Sequence, residues 1–274
     1  MLPDVVHSIV GPPGRPVICF VTGLGGVRAN FAPQVRFLKN RFRVLTFDHP
    51  GLGGSPDWTE KHQPITMDSF AALVVRLGQQ LQLPSMHLVG MSFGGKVALT
   101  VALKAPALVH SLTLSGTSIA DNHTPTRLQS LRTLAELLSS SESQKSMEER
   151  AAKIGPVLFG PKYLETHPER VRALVRWRDR HPPNRHAIQM QKLANNTCNI
   201  SGRLGAIQCP VQILQGDTDA LCSPSHASYL AQHIPNAAIH WFERVGHSPN
   251  VECPRAFSEA IEHFVDRHSH VPSP

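Results

Sequence analysis

The sequence predicts a doubly wound, mostly parallel α/β sheet with a helical cap insertion, and three observations carry that prediction. Short, continuously apolar runs alternate with helix-like patterns up to about Thr117. The alternation stops there and resumes near Ile207. The stretch between is helix-rich, basic and broken by Ser139-Ser140-Ser141, Gly160-Pro161 and Pro182-Pro183. Strands that alternate with helices and are apolar throughout belong to parallel sheets covered on both faces. The core is therefore expected over 1–117 and 201–274, and the cap over 118–200.

The elements follow in order. Pro16 to Thr22 reads as a strand buried on both faces and ends in Gly23-Leu24-Gly25-Gly26. Asn30 to Lys39 is helix-like, and Phe42 to Phe47 is a strand ending at Asp48-His49-Pro50-Gly51. Met67 to Leu81 is a helix, Met86 to Met91 a strand, Phe93 to Leu103 a helix and His110 to Leu114 a strand. Beyond the insertion, Pro210 to Leu214 is a strand, Ser225 to Ile234 a helix, Ala238 to Phe242 a strand and Pro254 to Val265 a closing helix. The polar tail from His268 to Pro274 is expected to fray.

Composition narrows the function. With 274 residues, 41% hydrophobic and 17% charged, the chain has the balance of a globular domain able to bury a large core. No apolar run reaches the roughly 18 residues of a membrane helix, and Met1 to Val10 lacks the pattern of a signal peptide. No membrane partner is expected. Five cysteines, an odd number without C-x-x-C spacing, argue against a disulfide or metal framework and fit a reducing cytoplasm. Neither a metal nor another cofactor is expected. Most of the +7 net charge sits over 127–192, where thirteen basic residues face seven acidic ones. Without stacking aromatics or a nucleic-acid motif, this reads as a solvated helix face rather than a nucleic-acid site. A further reading is attraction of an anionic substrate. Oligomeric state has no signature here.

Gly90-Met91-Ser92-Phe93-Gly94 is G-x-S-x-G, a pattern that chance alone produces in roughly one such chain in ten. Its context is more specific, because it joins the Met86 to Met91 strand to the next helix. A serine on such a turn projects clear of the backbone, and flanking glycines leave room for the strand and helix to approach. Ser92 is thus the candidate nucleophile.

From this point the chain resembles the α/β-hydrolase family, over about Pro16 to His268. The resemblance implies an acid in Gly216-Asp217-Thr218-Asp219 and a base in Gly246-His247, following Ser92 in the family's serine, acid, histidine order. Family spacing favours Asp219 over Asp217, which is expected to face solvent or cap the turn. Read alone, Asp219 would be a turn residue and His247 a loop histidine. The resemblance also implies an oxyanion hole from the backbone N–H groups of Leu24 and Phe93, although Thr22-Gly23 replaces the usual His-Gly. Cys222 stands where valine is common and reads as packing. Asp48 to Ser55 looks like the family's D-x-x-G-x-G-x-S loop, with a structural role.

The expected activity is hydrolysis of a small carboxylic ester or lactone through an acyl-serine, with a pH step near neutrality from His247. Other reactions on the same three residues, or a binding protein that keeps only the pocket, remain open. Leu134, Leu138, Phe159 and Trp177 are candidates for the pocket lining, with packing of cap on core as the equal alternative.

Overall fold

The computed structural model describes residues 2–58, 64–119, 129–130, 132–135, 138 and 146–269. The serine run at 139–141 and most of the polar tail lie outside them. A seven-stranded sheet has the order β1-β3-β2-β4-β5-β6-β7. The strands are β1 (His7–Val10), β2 (Val17–Val21), β3 (Arg43–Phe47), β4 (Met86–Met91), β5 (Val109–Ser115), β6 (Val211–Gly216) and β7 (Ala238–Phe242). All neighbours run parallel except β1, which pairs antiparallel with β3.

The strand β1 was absent from the sequence expectation for a physical reason. It is four residues long, lies at an edge and is only partly buried, so it lacks the apolar run that marks the inner strands. The central β2 shows the opposite character. All five residues are buried, with Val17, Cys19 and Val21 in one hydrophobic cluster and Ile18 and Phe20 in another. A continuous apolar run thus still obeys the two-residue alternation of a strand, and feeds two cores.

Helices cover both faces. They are α1 (Ala32–Leu38), α2 (Met67–Gln80), α3 (Phe93–Lys104), α4 (Met147–Leu158), α5 (Pro161–Thr166), α6 (Pro168–Arg180), α7 (Arg185–Thr197), α8 (Pro224–His233), α9 (Pro249–Glu252) and α10 (Pro254–Ser269). The pair α2 and α3 supplies the Val17 side, where Phe70, Val74 and Leu77 meet Val97 and Val101. On the other side, Phe257, Ile261 and Val265 of α10 form a one-face stripe against Ile18 and Phe20. The helix α10 runs to Ser269, so His268 does not begin a frayed tail. Ser269 Oγ donates to the Val265 carbonyl, and the His268 carbonyl accepts from His110.

The chain reverses its direction of winding between β2 and β4, because β2 pairs with both β3 and β4. Crevices at the carboxyl edge of such a switch point are the usual ligand sites of open α/β sheets. The helices α4 to α7 enter between β5 and β6, and α4 to α6 pack around Ile154, Val171 and Val175 in a cluster that takes in Leu221 and Cys222 of the turn after β6. This is the helical cap insertion.

Candidate functional site

Ser92 links β4 to α3 with φ 55° and ψ −116°, a left-handed conformation that costs a non-glycine residue on the order of 1–3 kcal/mol. Two backbone bonds hold it: the Ser92 N–H donates to Ser115 O at 2.8 Å, and the Gly95 N–H donates to Ser92 O at 3.0 Å. The glycines are needed for space. A Cβ on Gly90 would sit 2.5 Å from Gly94 O, and one on Gly94 only 2.1 Å from Val21 O. Ser92 remains half-buried and borders a cavity.

The turn after β6 places Asp219 in the interior and leaves Asp217 exposed. Asp219 Oδ1 accepts from the Leu221 and Cys222 N–H groups at 2.8 and 2.7 Å. Its Oδ2 accepts from Gln215 Nε2 at 3.1 Å and pairs with His247 Nδ1 at 2.9 Å. With Nδ1–H committed to the carboxylate, Nε2 is the ring nitrogen left to exchange a proton. Burial works to lower the His247 pKa, but the Asp219 charge and hydrogen bond, with a contribution from Cys222, raise it well above the ordinary value. The step expected near neutrality therefore moves upward. His247 and Ser92 border the same cavity, and no hydrogen bond joins them. Such contacts are often long in unliganded enzymes and close on substrate binding.

The loop carrying His247 is anchored by a residue that the sequence reading passed over. Glu252 accepts from the Gly246 N–H at 3.0 Å and the Ser248 N–H at 3.2 Å, on either side of the histidine. It also accepts from the Gly160 N–H of the insertion at 2.7 Å. Burial pushes its carboxyl pKa up, and the three N–H groups offset this only in part. Thr218 Oγ1 adds a bond to Val245 O at 2.8 Å, tying the acid turn to the histidine loop.

The glycine-rich loop after β2 passes directly over Ser92, since a Cβ on Gly23 would lie 3.4 Å from Ser92 Cβ. Gly25, at φ +67°, is held at both ends by the insertion. Its N–H donates to Gln191 Oε1 at 2.8 Å, and its carbonyl accepts from Arg178 Nη2 at 3.0 Å. Among the described residues, the N–H groups of Leu24 and Phe93 are not spent on a hydrogen bond. The Asp48 loop sits behind. Asp48 accepts from the Arg28 N–H at 2.7 Å, and His49 Nε2 contacts Thr22 O at 3.4 Å. Burial pushes the His49 pKa down to about 4, so this ring is neutral packing within an aromatic group of Phe47, Phe70 and Phe93.

The cavity has a volume of about 670 Å³. That falls within the range of small-molecule sites. Leu134, Leu138, Phe159 and Trp177 all border it. Leu134, Leu138 and Phe159 also pack in hydrophobic clusters, whereas Trp177 is exposed. Lining and packing are thus served by the same side chains. Cys222 is buried with its Sγ within 4.8 Å of ligand atoms of Asp219 and His247. These three groups are of metal-binding type, but a cation there would have to displace the Asp219–His247 bond and compete with three N–H donors. All five cysteines are free thiols. No described helix is long and apolar enough to cross a membrane.

Comparison with known proteins gives the family of the chain. Residues 16–254 match the model of the alpha/beta hydrolase fold. The chain belongs to the α/β-hydrolase family. Among its relatives is a protein of Pseudomonas syringae pv. syringae provisionally named carbamate hydrolase RutD. The two are 27% identical over 259 residues, covering 91% of this chain and 93% of that protein. A 3-oxoadipate enol-lactonase of Acinetobacter baylyi is 23% identical, with 95% and 92% of the two chains covered. The crystal structure of a hydrolase from Pseudomonas aeruginosa PA01 superposes with a TM-score of 0.77 at 27% identity, over 95% of this chain and 94% of that one.

Gln191, Arg178, Gln215 and Glu252 carry the site without any motif to announce them. One signal was available. Arg178 follows Val171 and Val175 at i, i+4, i+7, so a cation occupies a position on the buried stripe of α6.

Proposed function

We infer that this chain is a serine hydrolase that opens a small carboxylic ester or lactone through an acyl-Ser92 intermediate. The observation that carries this reading is the buried Asp219–His247 pair, which shares one cavity with the accessible, strained Ser92. Ser92 Oγ attacks the carbonyl carbon while His247 Nε2 takes its proton, because a neutral hydroxyl is a weak nucleophile. Asp219 fixes the imidazole tautomer and stabilises the imidazolium. The Leu24 and Phe93 N–H groups receive the oxyanion, each contributing about 3 kcal/mol to the transition state. As the tetrahedral intermediate collapses, His247 returns the proton to the departing alcohol. Water, deprotonated in turn by His247, then releases the acid and restores Ser92. This route consumes only water. Within it the described helices of the insertion are the cap over the cavity, and Leu134, Leu138, Phe159 and Trp177 shape the pocket for the substrate. Five free thiols and no disulfide fit residence in the reducing cytoplasm.

The curated relatives support two carbonyl classes, a carbamate and an enol-lactone. A carbamate ester would be attacked by the same machinery: its alcohol leaves as the carbamoyl group passes to Ser92, and water then releases the carbamic acid, which decomposes to amine and carbon dioxide. The test is a panel of p-nitrophenyl esters, γ- and δ-lactones and aryl carbamates of matched size, run on wild type and Ser92→Ala. Turnover of esters or lactones that vanishes in folded Ser92→Ala supports the reading. Turnover confined to carbamates replaces the substrate class, and turnover that survives in Ser92→Ala removes the nucleophile.

A further inference from the structure

On α6, Arg170, Arg172, Arg176 and Arg180 are exposed, and of these Arg170 borders the cavity. Arg178 is buried: it is only 9% exposed and also borders the cavity shared by Ser92 and His247. Its Nη2 reaches Gly25 O, and its guanidinium carbon lies 5.3 Å from the Trp177 ring centroid. Its Nε is buried with no hydrogen-bond partner, and no carboxylate among the described residues pairs with it. The neighbouring Asp179 is engaged elsewhere, with Arg150 at 2.7 Å.

A guanidinium cannot shed its proton to escape burial, so its charge stays and calls for a counter-ion. Holding the Gly25 carbonyl does not explain that charge, since a neutral amide would do as well, and Gln191 does so for the N–H of the same residue. The buried Tyr163 borders the same cavity, with its hydroxyl beside Arg170.

We propose that Arg178 is the counter-ion for a carboxylate carried by the substrate, which makes the cavity selective for anionic esters or lactones over neutral ones of the same size. A carboxylate matches the planar donor fork of arginine and supplies the charge that the protein omits. This deepens the serine-hydrolase reading and rests on it for turnover, though not for binding.

Two measurements separate the claims. In the first, kcat/KM is compared for mono-p-nitrophenyl adipate and p-nitrophenyl hexanoate, which differ in the terminal carboxylate. Wild type is expected to prefer the adipate ester. Arg178→Gln is expected to reduce that preference by about 10- to 100-fold, the range of a charge-assisted hydrogen bond. Arg178→Lys is expected to keep part of it, and also serves if the glutamine variant does not fold. A role limited to clamping Gly25 would slow both substrates together and leave the ratio unchanged, which would overturn the proposal. In the second, adipate dianion is titrated calorimetrically into Ser92→Ala with and without Arg178→Gln. Binding that needs Arg178 while no ester is turned over by wild type would retire the hydrolase reading and keep the anion site. Ester turnover without carboxylate preference or adipate binding would do the reverse.

Discussion

The loops at the carboxyl edge of the sheet and the helices that cover them solve different problems, and they do so with different kinds of residue. At the sheet edge, four groups a long way apart in sequence converge on one point: the loop after β2, Ser92 after β4, Asp219 after β6 and His247 after β7. Each is held by short-range rules, such as glycines where backbones touch and a carboxylate with all its lone pairs engaged. The insertion instead contributes single side chains at long range. Gln191 and Arg178 grip Gly25 from 166 and 153 residues away. On the proposed function, the chemistry lies in the sheet edge and substrate choice in the insertion, whose Gln191 and Arg178 also align the glycine-rich loop. A perturbation at the sheet edge should therefore cost rate, and one in the covering helices should change preference.

The largest effect is expected at the acid. Asp219→Asn leaves the geometry nearly intact but lets the imidazole adopt the wrong tautomer, so kcat should fall by about 10⁴. Asp217→Asn, at an exposed position, should change kcat little. The pH profile sharpens this. Because Asp219 raises the His247 pKa, kcat/KM of wild type should climb with pH through a midpoint above the ordinary histidine value, as the ring loses its proton. In Asp219→Asn that midpoint should move down. Inactivity of Asp217→Asn instead would place the acid two residues earlier.

Glu252 joins the two regions, since it holds both neighbours of His247 and the Gly160 N–H of the insertion. Glu252→Ala strands three N–H donors, at a cost of about 2–4 kcal/mol of stability. A shift of the histidine loop by even a fraction of an ångström should lower kcat by about tenfold to a hundredfold. Denaturant melts and single-turnover rates check this together. Loss of stability with an unchanged rate would make Glu252 a purely structural tie.

The smallest effect is a linkage behind the site. His49 is buried neutral with its pKa lowered to about 4. Above the unfolded value near 6.5, both states are neutral and stability does not depend on this group. As pH falls from about 6.5 toward 4, the unfolded chain gains a proton that the folded chain refuses, and stability declines. Between pH 7.5 and 5, His49→Phe should lose about 2 kcal/mol less than wild type. Equal losses would mean that the ring is solvated and protonates in place.

What the sequence made legible follows the same division. The inner strands and the helices packed on them were visible because burial on both faces leaves an apolar run, and a one-sided helix leaves a periodic stripe. Ser92 stood out because it sits in a local signature between a strand and a helix, and Asp219 and His247 stood out only through the resemblance to the family. The edge strand β1 was not visible, because a short, half-exposed strand makes no such run. Nor were Glu252 and Gln191, which reach Gly160 and Gly25 far away in the chain, or Gln215, which bonds within the turn after its own strand, because these residue types are ordinary at the surface. Arg178 was hidden in plain counting. It added one charge to a basic segment, and only its place among Val171 and Val175 on the buried stripe marks it as different from Arg172 and Arg176.

The central claim is that Ser92 is activated by His247 and Asp219. Intact-mass spectrometry after treatment with a fluorophosphonate tests it most directly, because the reagent bonds only to a serine oxygen that has been made nucleophilic. Wild type should gain one adduct per chain, mapping to Ser92 by peptide analysis, at a rate that falls sharply in Asp219→Asn, and Ser92→Ala should gain none. A folded wild-type protein that takes no label, or takes it equally well after Ser92→Ala, would contradict the account.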